Sequence, residues 1–121
     1  MIDVCGLRVL VVEDEAAIAM LIEDMLEDLG CEVVASVPSI ARARDFMTTG
    51  TQIDLALLDV NVAGELVFPV AELLQLREIP FLFSTGYGAA GLPAEFASCR
   101  VLAKPFSQDQ LRAKMFLALE R

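Results

Sequence analysis

The stretch IDLALLDVN, residues 53–61, joins an apolar run directly to an acidic and an amide side chain. Ile53 to Leu58 has the length and apolar character of a buried β-strand. Four other short runs share this character, and they cover Arg8 to Val12, Cys31 to Ala35, Pro80 to Phe83 and Arg100 to Ala103. An apolar fraction of 56% and a mean hydropathy of +0.60 also favour strands that are covered on both faces. The sequence therefore predicts a buried parallel sheet.

Segments with helical periodicity separate these strands. The clearest has apolar side chains at positions 18, 21, 22, 25, 26 and 29 and ends at Gly30, a residue suited to a helix C-terminus. Three more helices are predicted: one from Pro38-Ser39 to near Gly50, one from about Phe68 to Leu76, and one that opens at Ser107 in a capping box with Gln110.

The connection from Gly86 to Ser98 is rich in Gly and Pro, so we expect mostly loop there, with about two helical turns from Pro93 to about Cys99. The alternation of strands and helices predicts an α/β fold, a doubly wound five-stranded parallel sheet with helices on both faces. The length of 121 residues suits a single domain, 1–121, with no second domain attached.

Composition excludes several classes of function. The net charge of −9 argues against nucleic-acid binding, because a phosphate backbone would be repelled. No apolar run is long enough to span a bilayer, and residues 1–10 lack the features of a signal peptide, so we expect a cytoplasmic protein without a membrane partner. The three cysteines show no metal-ligand spacing, and the chain has no histidine, so we expect reduced, structural thiols.

Polar side chains follow four of the predicted strands. They are Glu13 and Asp14 after the first strand, Asp59 after the third, Ser84 and Thr85 after the fourth, and Lys104 after the fifth. Because ligands bind beyond the carboxyl ends of strands in such sheets, we expect these side chains to form one site. Three carboxylates about 5 Å apart repel by roughly 3 kcal/mol per pair at an effective dielectric near 20. A hard divalent cation offsets this repulsion, and Mg²⁺ is the predicted cofactor, although calcium or manganese could substitute.

With a cation in place, Asp59 is the predicted nucleophile, since a carboxylate can attack phosphorus to give an aspartyl phosphate. Lys104 is expected to contact one phosphoryl oxygen and the Thr85 hydroxyl another. Glu13 and Asp14 also suit the N-terminus of the first helix, and that electrostatic role is compatible with metal binding. Ser84 is expected to be structural.

These residues, in this order, resemble the response-regulator receiver domains over essentially the whole chain. The match comprises Glu13-Asp14, Asp59, Thr85 and the Lys104-Pro105 dipeptide. The resemblance implies a flavodoxin-like (βα)5 fold with strand order 2-1-3-4-5, and a metal site completed by the backbone carbonyl of Asn61, two residues after Asp59. It also implies that the Lys104-Pro105 peptide bond is cis.

The segment PFLFSTGYG, residues 80–88, resembles a receiver subgroup with a Phe-Ala-Thr-Gly signature, often found without an output domain. Two positions depart from the patterns of the family. Ser84 replaces the Ala of the signature, and Val101 stands where many receivers have a Tyr or Phe that rotates inward on activation. Tyr87 either influences access to Asp59 or covers the sheet edge.

The resemblance implies a two-component signalling module that takes a phosphoryl group from a sensor histidine kinase or a histidine phosphotransfer protein. Its output would be a downstream protein partner, a phosphorelay step or phosphate-sink behaviour, without enzymatic activity on other substrates. One alternative is a phosphorylation-independent interaction module. Another is a phosphatase of the haloacid dehalogenase type, which also uses an Asp nucleophile but typically carries Asp-x-Asp after its first strand.

Overall fold

Five parallel strands form the main sheet of the computed structural model, which describes residues 4–86, 92–96 and 99–120. The strands of the chain are β1 Arg8–Val12, β2 Glu32–Val37, β3 Leu55–Asp59, β4 Asn61–Val62, β5 Glu65–Leu66, β6 Phe81–Thr85 and β7 Val101–Ala103. The main sheet has the order β2-β1-β3-β6-β7, and β4 and β5 form a separate antiparallel hairpin. Counted along the chain, the five parallel strands have the predicted order 2-1-3-4-5.

In the described ranges, three α-helices connect strands and a fourth follows the last strand: α1 Ala16–Asp28, α2 Ile40–Met47, α3 Phe68–Leu76 and α4 Gln108–Leu119. The Ser107–Gln110 capping box at the start of α4 is present as predicted. The two-turn helix predicted from Pro93 is wrong for the residues that are described there, because they form a single 3-10 turn over Ala94–Phe96. The Phe96 N–H donates to the Pro93 carbonyl at 2.9 Å, an i to i+3 bond, and this single turn already places the Phe96 ring in the core.

Apolar side chains cover the sheet on both faces, because successive residues of a strand point to opposite sides. Leu55 and Leu57 of β3 pack on one side with residues of α1 and α4. Ala56 and Leu58 pack on the other side with residues of α2 and α3. The edge strand β2 differs from the prediction of a buried strand, because only one neighbouring strand covers it and its residues are half-buried or exposed.

Two helices end in the same hydrogen-bonding motif with different residues at the left-handed position. After α1, Gly30 has φ of +85° and the Cys31 N–H donates to the Leu26 carbonyl. After α3, Glu78 takes the corresponding position with φ of +57°, and the Ile79 N–H donates to Leu74. A left-handed conformation suits Gly and strains residues that carry a Cβ. The end of α3 is therefore the strained one of the two.

The β4–β5 hairpin was not predicted from the sequence. Its turn places Ala63 and Gly64 at φ of +51° and +84°. Turns of this kind usually carry Asn-Gly or Asp-Gly, and the Ala at the first position hides the signal. None of the helices in the described ranges is long and apolar enough to cross a membrane.

Candidate functional site

The carboxyl ends of three parallel strands bring the predicted polar residues together. Val12 of β1 pairs with Leu58 of β3, so the acids that follow these residues lie side by side. Lys104 follows β7 at the same edge of the sheet, and its backbone N–H donates to the Thr85 carbonyl at 3.0 Å. The backbone register therefore fixes the positions from which the site's side chains extend.

Lys104 joins two of the acids. Its Nζ lies 2.8 Å from Glu13 Oε1 and 3.4 Å from Asp59 Oδ2. The Glu13 side chain is 1% exposed and that of Asp59 is 12% exposed. Charged groups at this depth are costly without partners, so the ammonium group stabilises both carboxylates.

The two acids after β1 have different surroundings. Glu13 is fully engaged, because its Oε2 accepts from the backbone N–H of Glu15 at 3.2 Å while Oε1 accepts from Lys104. Asp14 is exposed, and its Oδ2 accepts from the Ala63 N–H in the hairpin turn at 3.1 Å. The hairpin that the sequence did not predict therefore orients one of the predicted site residues.

The site has the composition of a divalent-cation site. Oxygen atoms of Glu13, Asp14 and Asp59 lie within 4.8 Å of one another. With Lys104 beside them, these three carboxylates leave a net charge of −2, which one Mg²⁺ ion would balance. Carboxylate oxygens are the hard ligands that Mg²⁺ prefers. The residues present therefore fit the predicted cofactor.

Burial and charge also alter protonation in the site. Burial, together with the negative charge of Glu13, raises the pKa of Asp59 to about 6, although Lys104 opposes this change. Burial of Lys104 disfavours its charged form, but its hydrogen bond to Glu13 and the charge of Asp59 outweigh burial and raise the pKa of Lys104. Lys104 therefore remains a cation at neutral pH.

Thr85, Ser84 and Asn61 border this cluster. Thr85 ends β6 and is buried. Ser84 is also buried, and its hydroxyl has no hydrogen-bond partner among the described residues. Asn61 begins the hairpin, where its Oδ1 accepts from the Gly64 N–H at 3.1 Å. The cluster itself thus consists of Glu13, Asp14, Asp59 and Lys104.

The remaining sequence predictions concern the surroundings of the site. The Lys104–Pro105 peptide bond is cis, as predicted. Val101 pairs with Phe83 and packs against the core that contains Phe96. The rings in this part of the core come from Phe81, Phe83 and Phe96 instead of from position 101. Tyr87, for which we predicted an effect on access or on the sheet edge, lies outside the described residues.

Sequence comparison identifies the family. The model of the response regulator receiver domain matches residues 9–116. The chain belongs to this family. A receiver domain is a regulatory module of two-component signalling, and receiver domains generally bind Mg²⁺ at an acidic pocket.

Two solved structures and one bacterial regulator are similar to the chain. The solution structure of SdrG from Sphingomonas melonis Fr1 is 42% identical, with a TM-score of 0.82 and 98% of each chain covered. A BeF3-activated conformation of SdrG from Pseudomonas melonis Fr1 is 43% identical, with a TM-score of 0.79 over 94% of this chain and 97% of that one. The phyllosphere-induced regulator PhyR of Methylorubrum extorquens (strain AM1) is 30% identical over 93% of the chain. The chain spans only 43% of the length of that regulator.

Sequence reasoning missed two contacts of this receiver domain. The Glu13–Lys104 ion pair joins residues 91 positions apart, and the Asp14–Ala63 hydrogen bond joins residues 49 apart. The only sequence signal for the first was an acid that directly follows the buried run Val9 to Val12. An acid in that position needs a cation nearby, but the sequence alone does not say which one.

Proposed function

We propose that this receiver domain accepts a phosphoryl group on Asp59 from a phosphohistidine of a sensor histidine kinase or a histidine phosphotransfer protein. The supporting observation is the position of Lys104 Nζ between Glu13 and Asp59, at 2.8 and 3.4 Å. This contact places a cation beside the carboxylate with the raised pKa. A phosphoryl group that approaches Asp59 would therefore meet a positive charge instead of three uncompensated acids.

The transfer forms one bond and breaks another. An Asp59 carboxylate oxygen attacks phosphorus, and the bond between phosphorus and the donor's imidazole nitrogen breaks with its electron pair on nitrogen. The imidazole then takes a proton. Such transfers depend chiefly on positioning and on neutralising the equatorial phosphoryl oxygens. Lys104 would exchange its contact with Asp59 for one of these oxygens.

Asp14, Asp59 and Glu13, together with the backbone carbonyl of Asn61, would hold Mg²⁺. The ion would neutralise phosphoryl charge during transfer. Asp14 is the most accessible of the three acids, while both oxygens of Glu13 already accept hydrogen bonds. We therefore expect Asp14 to bind the ion directly and Glu13 to act through water or after Lys104 has moved.

Thr85 would carry the signal away from the site. Its hydroxyl is proposed to donate to a phosphoryl oxygen. The support for this role is its place at the end of β6, where its carbonyl is tied to the Lys104 N–H at 3.0 Å. A change at either residue would therefore be transmitted to the other. The surface that rearranges on phosphorylation would then bind a downstream protein.

The start of α1 is the proposed docking surface for the phosphohistidine protein. Met20 and Leu21 on this helix are 64% and 55% exposed. An apolar groove of about 320 Å³ runs between α1 and the segment that begins at Lys104. The phosphohistidine protein has to bring its histidine to Asp59. The groove is lined in part by Lys104, which contacts Asp59. Exposed apolar side chains beside a polar site are typical of protein interfaces.

A labelling experiment tests the chemistry. The purified protein is incubated with phosphoramidate or acetyl phosphate, with Mg²⁺ or with EDTA, and its intact mass is measured. We expect a Mg²⁺-dependent gain of one phosphoryl group that Asp59→Asn abolishes. Asp54→Asn is the matched control, because it makes the same change at the other end of β3 and should label normally.

Three outcomes would contradict the proposal. Labelling of Asp59→Asn at the original level would place the acceptor elsewhere. A wild type that neither labels nor binds beryllofluoride would favour a phosphorylation-independent interaction module. Continuous release of phosphate from many small phosphate esters would favour a phosphatase.

A second experiment tests the docking surface. Leu21→Ser should slow transfer from a phosphohistidine protein at least several-fold and leave labelling by phosphoramidate unchanged. Leu76→Ser is the control, because Leu76 is 81% exposed on α3 and does not line this groove. Equal slowing by the two variants would remove α1 as the docking surface.

A further inference from the structure

Ser84 places a buried hydroxyl at the edge of the acidic cluster. The residue is 1% exposed, and its Oγ has no hydrogen-bond partner in the part of the chain that the structure describes. A buried hydroxyl without a partner is unfavourable, and such groups are uncommon in folded proteins. A state of the protein that offers the Ser84 hydroxyl an acceptor would therefore be stabilised relative to this one.

The strand register shows which groups are near this hydroxyl. Ser84 pairs with Asp59 on β3 and with Leu102 on β7. Aligned residues of neighbouring parallel strands extend to the same face and lie about 4.8 Å apart. Lys104 follows Leu102 by two residues and so starts on that face as well. The register therefore places Ser84 next to Asp59 in the sheet, on the face from which Lys104 also extends.

We infer that the Ser84 hydroxyl donates a hydrogen bond to phosphorylated Asp59, at the carboxyl oxygen that is not bonded to phosphorus. This inference rests on the proposed phosphorylation of Asp59. Before phosphorylation, Lys104 is the donor near this carboxyl group, with Nζ 3.4 Å from Oδ2. When Lys104 moves to a phosphoryl oxygen, the carboxyl group loses this donor. The aligned, unpartnered hydroxyl of Ser84 can replace it.

Such a hydrogen bond would shorten the life of the phosphorylated state. In hydrolysis, a water oxygen attacks phosphorus, the bond from phosphorus to the Asp59 oxygen breaks with its electron pair on that oxygen, and the water proton passes to phosphate. Negative charge develops on the Asp59 carboxylate as this bond breaks. A hydrogen bond to that carboxylate becomes stronger in the transition state and so speeds the reaction.

Two substitutions of Ser84 test the inference. Ser84→Ala removes the donor and leaves a small space, whereas Ser84→Cys fills the space with a slightly larger atom that is only a weak donor. Each variant is labelled with phosphoramidate and Mg²⁺, the donor is removed, and loss of the phosphoryl group is followed by intact mass. Both variants should lose it about 3- to 10-fold more slowly than the wild type, as expected for one lost hydrogen bond.

A second readout separates hydrogen bonding from packing. The infrared carbonyl stretch of the acyl phosphate should move to higher frequency in both variants, because the carbonyl has lost its donor. Circular dichroism and urea titration confirm that each variant is folded.

Slow decay in Ser84→Ala together with wild-type decay in Ser84→Cys would overturn the inference in favour of packing. Wild-type decay in both variants would overturn it while leaving the proposed function intact. A wild type that neither becomes labelled nor binds beryllofluoride would overturn the proposed function, and this inference with it.

Discussion

Replacing Asp59 by Asn should stabilise the fold when no divalent cation is present. Burial and Glu13 raise the pKa of Asp59 from its ordinary value of 3.8 to about 6, so the folded state disfavours the charged form. The difference corresponds to at most roughly 3 kcal/mol, and screening at a site open to solvent reduces it to on the order of 2 kcal/mol. Asp59→Asn should therefore raise the melting temperature in EDTA at pH 7 by roughly 8 °C.

The pH dependence has a definite sign. Above about pH 6 the folded protein carries the full cost of the charged carboxylate, so the gain from Asp59→Asn is complete there. Between pH 6 and 3.8 that cost falls, because the folded state binds a proton before the unfolded state does. The gain should therefore disappear near pH 4. Thermal and urea unfolding of both proteins from pH 4 to 8 measure it.

Asp54→Asn is the matched control with the opposite sign. Although burial opposes the shift, hydrogen bonds from the backbone N–H of Arg8 at 2.8 Å and from its Nε at 3.0 Å lower the pKa of Asp54. This variant should lose about 1 kcal/mol at pH 7. The loss should be complete above pH 3.8 and should vanish as the pH falls through the lowered folded pKa.

An Asp59→Asn protein that is less stable than the wild type at pH 7, or equally stabilised at pH 4 and pH 7, would refute the reasoning.

Three further substitutions test other parts of the structure by urea unfolding. Lys104→Met should lower the free energy of unfolding by about 3 kcal/mol, because it leaves Glu13 buried without its cation. The control Lys114→Met on α4 should change it by less than about 0.5 kcal/mol. Equal effects of the two substitutions would contradict the pairing of Lys104 with Glu13. Phe96→Ala should cost about 4 kcal/mol, because its fully buried ring contacts three others; a loss below about 1 kcal/mol would show that this part of the core is loosely packed. Glu78→Gly should stabilise by about 1 kcal/mol by relieving the left-handed conformation after α3, and a destabilised variant would contradict that conformation.

Most strands and helices could be predicted because each carries its own local sequence signal. The limits of β1, Arg8–Val12, and of α3, Phe68–Leu76, agree with the sequence prediction. Both segments are marked by their own composition, β1 by four consecutive apolar residues and α3 by a proline in its first turn. Neither depends on a distant contact for its identity.

The predictions failed where backbone conformation or distant partners decide the structure. The turn at Ala63 adopts a positive φ although Ala does not favour it, so composition gave no sign of the hairpin. The segment after Pro93 was predicted to form about two helical turns because the spacing of Gly and Pro leaves room for that length, but the residues described there form a shorter 3-10 turn. The partner of Glu13 is 91 residues away and comes close only in the folded sheet. The assignments of Asp59, Thr85 and Asn61 to phosphoryl and metal binding, and the single-domain organisation, stay predictions.

The backbone ladder between β1, β3 and β6 positions the acids independently of what those side chains do. A variant that is expected not to accept phosphate, such as Asp59→Asn, should therefore keep the outer surface of α1 unchanged. In a cell that also contains the wild type, an excess of this variant would occupy the proposed phosphohistidine partner without accepting its phosphoryl group. The Asp59→Asn variant would thus compete with the wild type for this partner and have a dominant effect, instead of causing a simple loss of function.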